Sequence, residues 1–264
     1  MRGVGDDEWR VHTLLNPGAP VIRTPDRVAG VEEAAAQGAD VVVLDDAFQH
    51  RQAARAADVV LVSADSWGER IRLLPAGPWR EPLHALRRAT AVVITVKDPE
   101  RAQVGAVRDA VERAAPGLPV VLVELCSDTL CHASDTGHAE PRRAPVSELR
   151  QQAVLAVSAI GNPEPFERAL GRHAQSVTPV RFPDHHHFSA SDVRQLVHAA
   201  ARTDRVVCTL KDAVKLAPEW PASATPLWYL SQTVVVRENA EALHAVLDRL
   251  LALRGVRQVR TASR

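Results

Sequence analysis

Along this chain, short unbroken runs of β-branched and aliphatic residues alternate with longer stretches whose apolar positions recur every three or four residues. The runs Val21-Ile22, Val41 to Leu44, Val59 to Val62, Ala91 to Ile94 and Val120 to Val123 predict strands. They lack polar alternation, which is the pattern of strands covered on both faces of a parallel sheet. Between them, Val28 to Gln37 (stopped by Gly38) and Glu100 to Ala115 (stopped by Pro116-Gly117) predict helices. Strands alternating with helices in this way are the signature of βαβ units.

From about Ser127 to Gln151 the periodicity gives way to Ser, His, Pro and Arg, a composition that reads as a connection between domains. A second set follows: a strand over Val154 to Val157, a helix over Pro163 to Arg172, a strand over Val177 to Phe182 and a helix over Ala190 to Arg202. Strands at Val206 to Thr209 and Val234 to Val236 come next, then a last helix capped by Asn239 and running through Leu253, with a frayed tail from Arg254. The expected architecture is α/β, a mostly parallel sheet over residues 1–148 followed by a smaller α/β domain over residues 149–264.

The chain's 264 residues are enough to bury a substantial core. Lys plus Arg and Asp plus Glu balance at 32 each, so no global field favours nucleic acid or an anionic membrane, and any acidic partner must be held locally. Three cysteines without a CxxC spacing argue against a disulfide framework and a zinc ribbon, and point to a reducing compartment. The first residues carry no apolar signal region, and no segment reaches the ~20 apolar residues that span a bilayer.

Several segments could carry chemistry. Val41 to Leu44 runs directly into Asp45-Asp46, and in open α/β sheets the carboxyl ends of strands face the ligand crevice. Carboxylates there can hold Mg²⁺ against nucleotide phosphates, or can simply start a loop. Phe182-Pro183-Asp184-His185-His186-His187-Phe188 is a turn in which an acid beside an imidazole can fix its tautomer and raise its basicity. A transition-metal site or a solvated turn are the other readings of it. Leu73 to Pro82 is a rigid loop in which Arg80 could contact phosphate and Glu81 a metal, or the two could form a helix-start ion pair. Gly5-Asp6-Asp7-Glu8 is an acidic turn. Lys211-Asp212 is either a salt-bridged helix start or a ligand contact.

Taken in order, these segments resemble the tetraacyldisaccharide 4'-kinase family of the lipid A pathway. That family's DDGFQH-type motif is similar to Asp45-Asp46-Ala47-Phe48-Gln49-His50, its LLPAGPLREP loop to Leu73 to Pro82, and its GIGNP turn to Ala159 to Pro163. Its DHH turn matches Asp184-His185-His186, and its TEKDAVKL segment Thr209 to Leu216. The resemblance implies a P-loop-kinase-like sheet and transfer of the ATP γ-phosphate to the 4'-hydroxyl of a tetraacyl glucosamine disaccharide 1-phosphate, with Mg²⁺. It implies Asp6, Asp184 and His185 as catalytic groups. It also implies Asp45, Gln49, His50 and Arg80 as nucleotide-binding groups, and Asp45, Asp46 and Glu81 as the metal set. The implied partners are a lipid-linked disaccharide and, peripherally, the cytoplasmic face of the inner membrane, with the cytoplasm as the location if no anchor is present. In the family, closure of two α/β domains brings the histidine turn to the nucleotide.

The chain departs from the family pattern at Ala47 (usually Gly), Trp79 (usually Leu) and Leu210 (usually Glu), and Asp7 leaves the register of the GDE motif open by one residue. No GxxxxGK[ST] phosphate loop occurs. The expectation is therefore an N-terminally truncated kinase with Met1 an internal start, a core strand absent, and phosphate positioning impaired. Two rival expectations are a noncatalytic remnant that binds lipid-sugar or a partner, and a metal-dependent hydrolase using Asp45, Asp46 and His185 to His187.

Overall fold

The computed structural model describes residues 6–68, 72–77, 79–138 and 140–261, with side chains from Glu8 to Leu253 within those spans. Its elements run α1 (Asp6–Leu15), α2 (Arg27–Ala36), β1 (Val59–Ser63), β2 (Ala91–Val96), α3 (Val104–Ala114), β3 (Val120–His132), β4 (Arg143–Pro145) and β5 (Ala153–Ser158). They continue with α4 (Glu164–Gly171), β6 (Ser176–Arg181), α5 (Ala190–Ala200), β7 (Arg205–Cys208), α6 (Leu210–Leu216), β8 (Leu227–Glu238) and α7 (Ala240–Thr261). The class is α/β with a mostly parallel sheet, as the run pattern predicts.

These elements form two compact units, each drawn from distant parts of the sequence. Unit I comprises Met1–Val21 and Cys126–Thr233, and unit II comprises Ile22–Leu125 and Val234–Arg264. The division expected at residues 148/149 falls inside unit I instead. Strands β3 and β8 are each long enough to carry the chain from one unit to the other, so no polar linker marks the change. Much of the supposed linker is ordered: β3 continues to His132 and returns as β4, pairing Leu130 with Ala144. The helix α1, expected with the first domain, belongs to unit I.

In unit II, β1, β2 and β3 are parallel neighbours, with Val60 opposite Val92 and Val93 opposite Val121. Every residue of β2 is buried. On one face Val92 and Ile94 meet Val62, Leu86 and the Val107 and Val111 stripe of α3. On the other, Val93, Val121 and Val123 meet Ala242 and Leu243 of α7. Helix α3 starts later than expected, at Val104, because the chain turns at Asp98 and Gln103 donates its backbone N–H to Ala64 O at 3.0 Å.

Neither Val21-Ile22 nor Val41 to Leu44 forms a strand. The second failure matters more, since Asp45-Asp46 was expected to emerge from a strand end. Residues 41–44 have no ladder partner among the described residues, and Val43 is 90% exposed. A short apolar run says that a segment suits a sheet, not that a neighbour exists to pair with it. Strand β1 likewise ends the strand order, and its Leu61 is 68% exposed.

In unit I, β5 lies between β6 and β7, parallel to both, and β7 pairs in parallel with β8. One core gathers Leu155, Val157, Val206, Leu196 and Leu216, and another gathers Val154, Leu170, Leu149 and Val207. Helix α5 opens on a complete capping box, in which the Ser189 hydroxyl accepts the Asp192 N–H and the Asp192 carboxylate accepts the Ser189 N–H. Asn239, expected to cap α7, adopts φ 60° and donates its side-chain amide to Val120 O at 2.9 Å. Helix α7 continues past the expected fraying point to Thr261. Among the described residues no helix is long and apolar enough to cross a membrane.

Candidate functional site

Unit II brings the Asp45 to His50 loop and the Leu73 to Glu81 loop together. Arg80 Nη1 reaches Asp46 Oδ2 at 2.6 Å, with both side chains more than half exposed. Arg88, from the 3-10 turn Leu83–Arg88, donates to both Glu81 oxygens, at 2.7 and 3.1 Å, and to Phe48 O at 3.3 Å. Its guanidinium also lies over the Phe48 ring, 4.2 Å from the centroid. Its hydrogen bonds to the Glu81 carboxylate raise the Arg88 pKa above its ordinary value, against the partial burial that lowers it. One arginine that the sequence reading passed over thus stitches two motifs. Its place at the end of the turn that follows Pro82 was the available signal.

Details of these loops bear on the departures from the family pattern. The strained φ of 48° falls on Asp46, not on Ala47, so an alanine at position 47 costs no backbone strain. Trp79 meets Trp67 edge-on with centroids 5.7 Å apart and packs on the unit II core, which accounts for a larger side chain than Leu. Gly77 is required, because a Cβ there would collide with the Arg72 backbone. The buried Gln49 Oε1 has no donor among the described residues, so a bound group or a rearrangement must satisfy it. Asp45 and His50 are exposed.

Oxygen donors from one or two carboxylates suit Mg²⁺, which keeps several waters and shares phosphate oxygens. Asp45 and Asp46 fit that donor set in kind. Glu81 does not, since Arg88 holds both of its oxygens. Among the described residues no three His, Cys, Asp or Glu side chains converge as a metal site, so the hydrolase expectation has no geometric support.

Unit I holds the histidine turn. His185 adopts φ 57°, a left-handed conformation uncommon outside glycine, and its N–H donates to Asp184 Oδ1 at 3.0 Å and to Ala159 O at 3.2 Å. Gly161 lies beside the same acid: a Cβ there would stand 3.2 Å from Asp184 Oδ2, tighter than an ordinary contact. The Ala159 to Pro163 and Asp184 to His186 motifs, far apart in sequence, are therefore one structure. The next residue, His186, has a different role. It stacks on Phe182 at 4.7 Å, meets Phe188 edge-on at 5.3 Å, and places Nε2 3.1 Å from Asp192 Oδ2. Backbone and hydroxyl hydrogen bonds from Ser189, then that from His186, bring the Asp192 pKa down to about 2.

Helix α1 begins at Asp6; Gly5 and the side chains of Asp6 and Asp7 lie outside the described residues. Two residues later Glu8 Oε1 accepts from Lys211 Nζ at 2.6 Å, so α1 is fastened to α6. Lys211-Asp212 is thus a salt-bridged helix start, with each residue paired to a different partner. Lys211 takes Glu8, while the buried Asp212 takes Lys215, at 3.1 Å, and the Ala159 N–H, at 3.0 Å.

The chain matches the family model described as tetraacyldisaccharide-1-P 4'-kinase over residues 1–252. The tetraacyldisaccharide 4'-kinase of Syntrophus aciditrophicus is 34% identical to it, over 92% of this chain and 67% of that protein. That of Anaeromyxobacter dehalogenans strain 2CP-1 is 36% identical, over 89% of this chain and 62% of that protein. A crystal structure of LpxK from Aquifex aeolicus in complex with ATP superposes with a TM-score of 0.64 at 25% identity, covering 93% of this chain and 69% of that one. The chain spans about three fifths to two thirds of the length of these curated relatives. By residues matched and by motif order, it belongs to the tetraacyldisaccharide-1-phosphate 4'-kinase family.

Proposed function

We propose that this chain carries the phosphotransfer chemistry of its family, moving the ATP γ-phosphate onto the 4'-hydroxyl of a tetraacyl disaccharide 1-phosphate. The observation that carries the reading is the histidine turn: His185 is held in a sparsely populated backbone conformation beside Asp184, and such strain concentrates at functional sites. Family membership supplies the reaction class, and the turn supplies the group that reaction needs.

In this reading the sugar hydroxyl oxygen attacks the γ-phosphorus, the bond to the β–γ bridging oxygen breaks, and ADP leaves. The hydroxyl proton passes to an Asp6–His185 pair, with Asp184 orienting the turn. Arg80, Gln49 and His50 serve the nucleotide. Asp45 and Asp46 would hold Mg²⁺, which when bound neutralises phosphate charge. For that, Arg80 would exchange its single contact with the Asp46 carboxylate for phosphate oxygens, which a guanidinium can meet with two parallel hydrogen bonds.

The acyl chains of the substrate require an apolar surface, and the exposed Leu73 and Leu74 border the candidate nucleotide loops. The substrate's lipid character places the reaction at a membrane surface, which we read as peripheral contact with the cytoplasmic face of the inner membrane. The test is transfer of labelled phosphate from ATP to the tetraacyl disaccharide by the purified chain, with and without Mg²⁺. Metal-dependent formation of the bisphosphate is expected, slowed because the 264 residues hold no GxxxxGK[ST] loop to position the phosphates. Retained lipid binding without transfer would instead select the noncatalytic remnant.

A further inference from the structure

The proposed chemistry makes no use of Asp212 and Lys215, yet the Asp212 side chain is 0% exposed and that of Lys215 only 8%. Removing two charges from water is unfavourable, and apolar replacements of such pairs are often neutral or stabilising, so stability is a weak account of the pair. What the two side chains touch is more informative.

We propose that Asp212 and Lys215 are positioning residues that fix the backbone on both sides of His185, an inference that rests on the kinase reading above. Asp212 Oδ2 accepts the Ala159 N–H at 3.0 Å and the Thr209 hydroxyl at 2.7 Å, and the carbonyl of that same Ala159 accepts the His185 N–H at 3.2 Å. One residue, Ala159, therefore links the buried carboxylate to the residue with the strained φ. On the far side, Lys215 Nζ donates to His186 O at 3.2 Å and lies 5.4 Å from the centre of the Phe188 ring. The 3.1 Å contact between Lys215 Nζ and Asp212 Oδ1 locks the two arms to each other.

The sequence provides this arrangement through a single turn of helix. Asp212 and Lys215 are three apart on α6 and so share a face. Lys211, pointing elsewhere, fastens α1 through Glu8. Thus α6 registers the helix that starts at Asp6 and the turn that carries His185 to one rigid element. A left-handed conformation at a bulky residue persists only when its surroundings over-determine it, and here two arms of one buried pair do so.

The test is residue-resolved amide hydrogen exchange on the full chain, together with transfer kinetics. The apolar replacement Asp212→Leu/Lys215→Met removes both charges at once. Its Ala159 and His185 amides are expected to exchange at least about tenfold faster, while those of Val157 and Val207 in the neighbouring strands keep their protection. Because the apolar variant could fail to fold, Asp212→Asn/Lys215→Met is the second arm. It retains an acceptor for Ala159, so that amide stays protected while the His185 and His186 amides alone speed up. Lys215→Arg restores both. In the kinase assay the expected loss is about tenfold in kcat at unchanged KM for ATP, the signature of a misplaced group rather than a lost binding contact.

Unchanged protection at His185, or equal loss of protection across Val157, Val207 and His185, overturns the proposal. If the unaltered chain transfers no phosphate, the kinase reading falls, and the exchange pattern alone decides whether the pair positions the turn.

Discussion

The two candidate clusters are built on opposite principles. In unit I the histidine turn is held from below: a buried ion pair, a capping box and an aromatic stack fix its backbone before any ligand arrives. In unit II the acidic loop is held from above by arginines, and its key pair, Arg80 with Asp46, is mostly exposed. An exposed pair of this kind contributes only about 0–1 kcal/mol. The difference suits the two tasks proposed above: a group that moves a proton must be preorganised, whereas carboxylates that would meet metal and phosphate must be able to exchange partners.

The comparison breaks most visibly at the two histidines of the turn. His185→Ala is expected to lower kcat/KM by about 10²–10⁴, the usual contribution of a positioned acid or base, with little change in melting temperature. His186→Ala should act the other way round. Loss of its stacking and of its contact with Asp192 should cost about 1–3 kcal/mol of stability, measured by urea unfolding, with a smaller effect on transfer by the molecules that remain folded. Equal catalytic losses in the two variants would mean that the structure does not separate their roles.

In unit II the contrast runs between two arginines. Arg88→Ala leaves Glu81 and Phe48 O without their shared donor and is expected to destabilise by about 1–2 kcal/mol, a charged hydrogen bond discounted for partial exposure. Arg80→Ala is expected to cost less than about 1 kcal/mol in stability but to raise KM for ATP, since in the proposed reaction it removes a phosphate partner more than a structural one. A large loss of stability from Arg80→Ala would show that this loop is as rigidly built as the histidine turn.

How much of this could be read from the sequence follows the same divide. The βαβ alternation, the fully buried β2 and the helices α2 to α5 were legible because their patterns are local. The strand at Val41 to Leu44 was misread because an apolar run carries no information about a partner, and Val43 faces solvent instead. The unit boundary was hidden because β3 and β8 pass through it as continuous strands. The motifs mark the loops, but not the side chains that hold them. Arg88 carries no motif of its own, and the Asp212–Ala159–His185 connection joins residues brought together only by the β5–β7 pairing and the turn after β6. Such links are tertiary, and only the folded chain makes them.

The smallest expected effect tests how firmly the histidine turn is tied to α5. Asp192 has its folded pKa brought down to about 2 from the ordinary 3.8 by Ser189 and His186. A carboxylate depressed on folding binds fewer protons in the native state than in the unfolded one, so stability rises with pH across the interval between the two values. The contribution is complete above about pH 4 and is lost as pH falls from there toward 2. Asp192→Asn removes the titration but also weakens the capping box, so its unfolding midpoint should be lower at neutral pH and should converge on that of the parent chain as the solution is acidified. Because Asp192 is partly open to solvent, the effect is modest and should shrink with added salt. If the two curves run parallel through the acid range, Asp192 gains nothing from its contacts in the folded state, and the His186 ring is held by aromatic stacking alone.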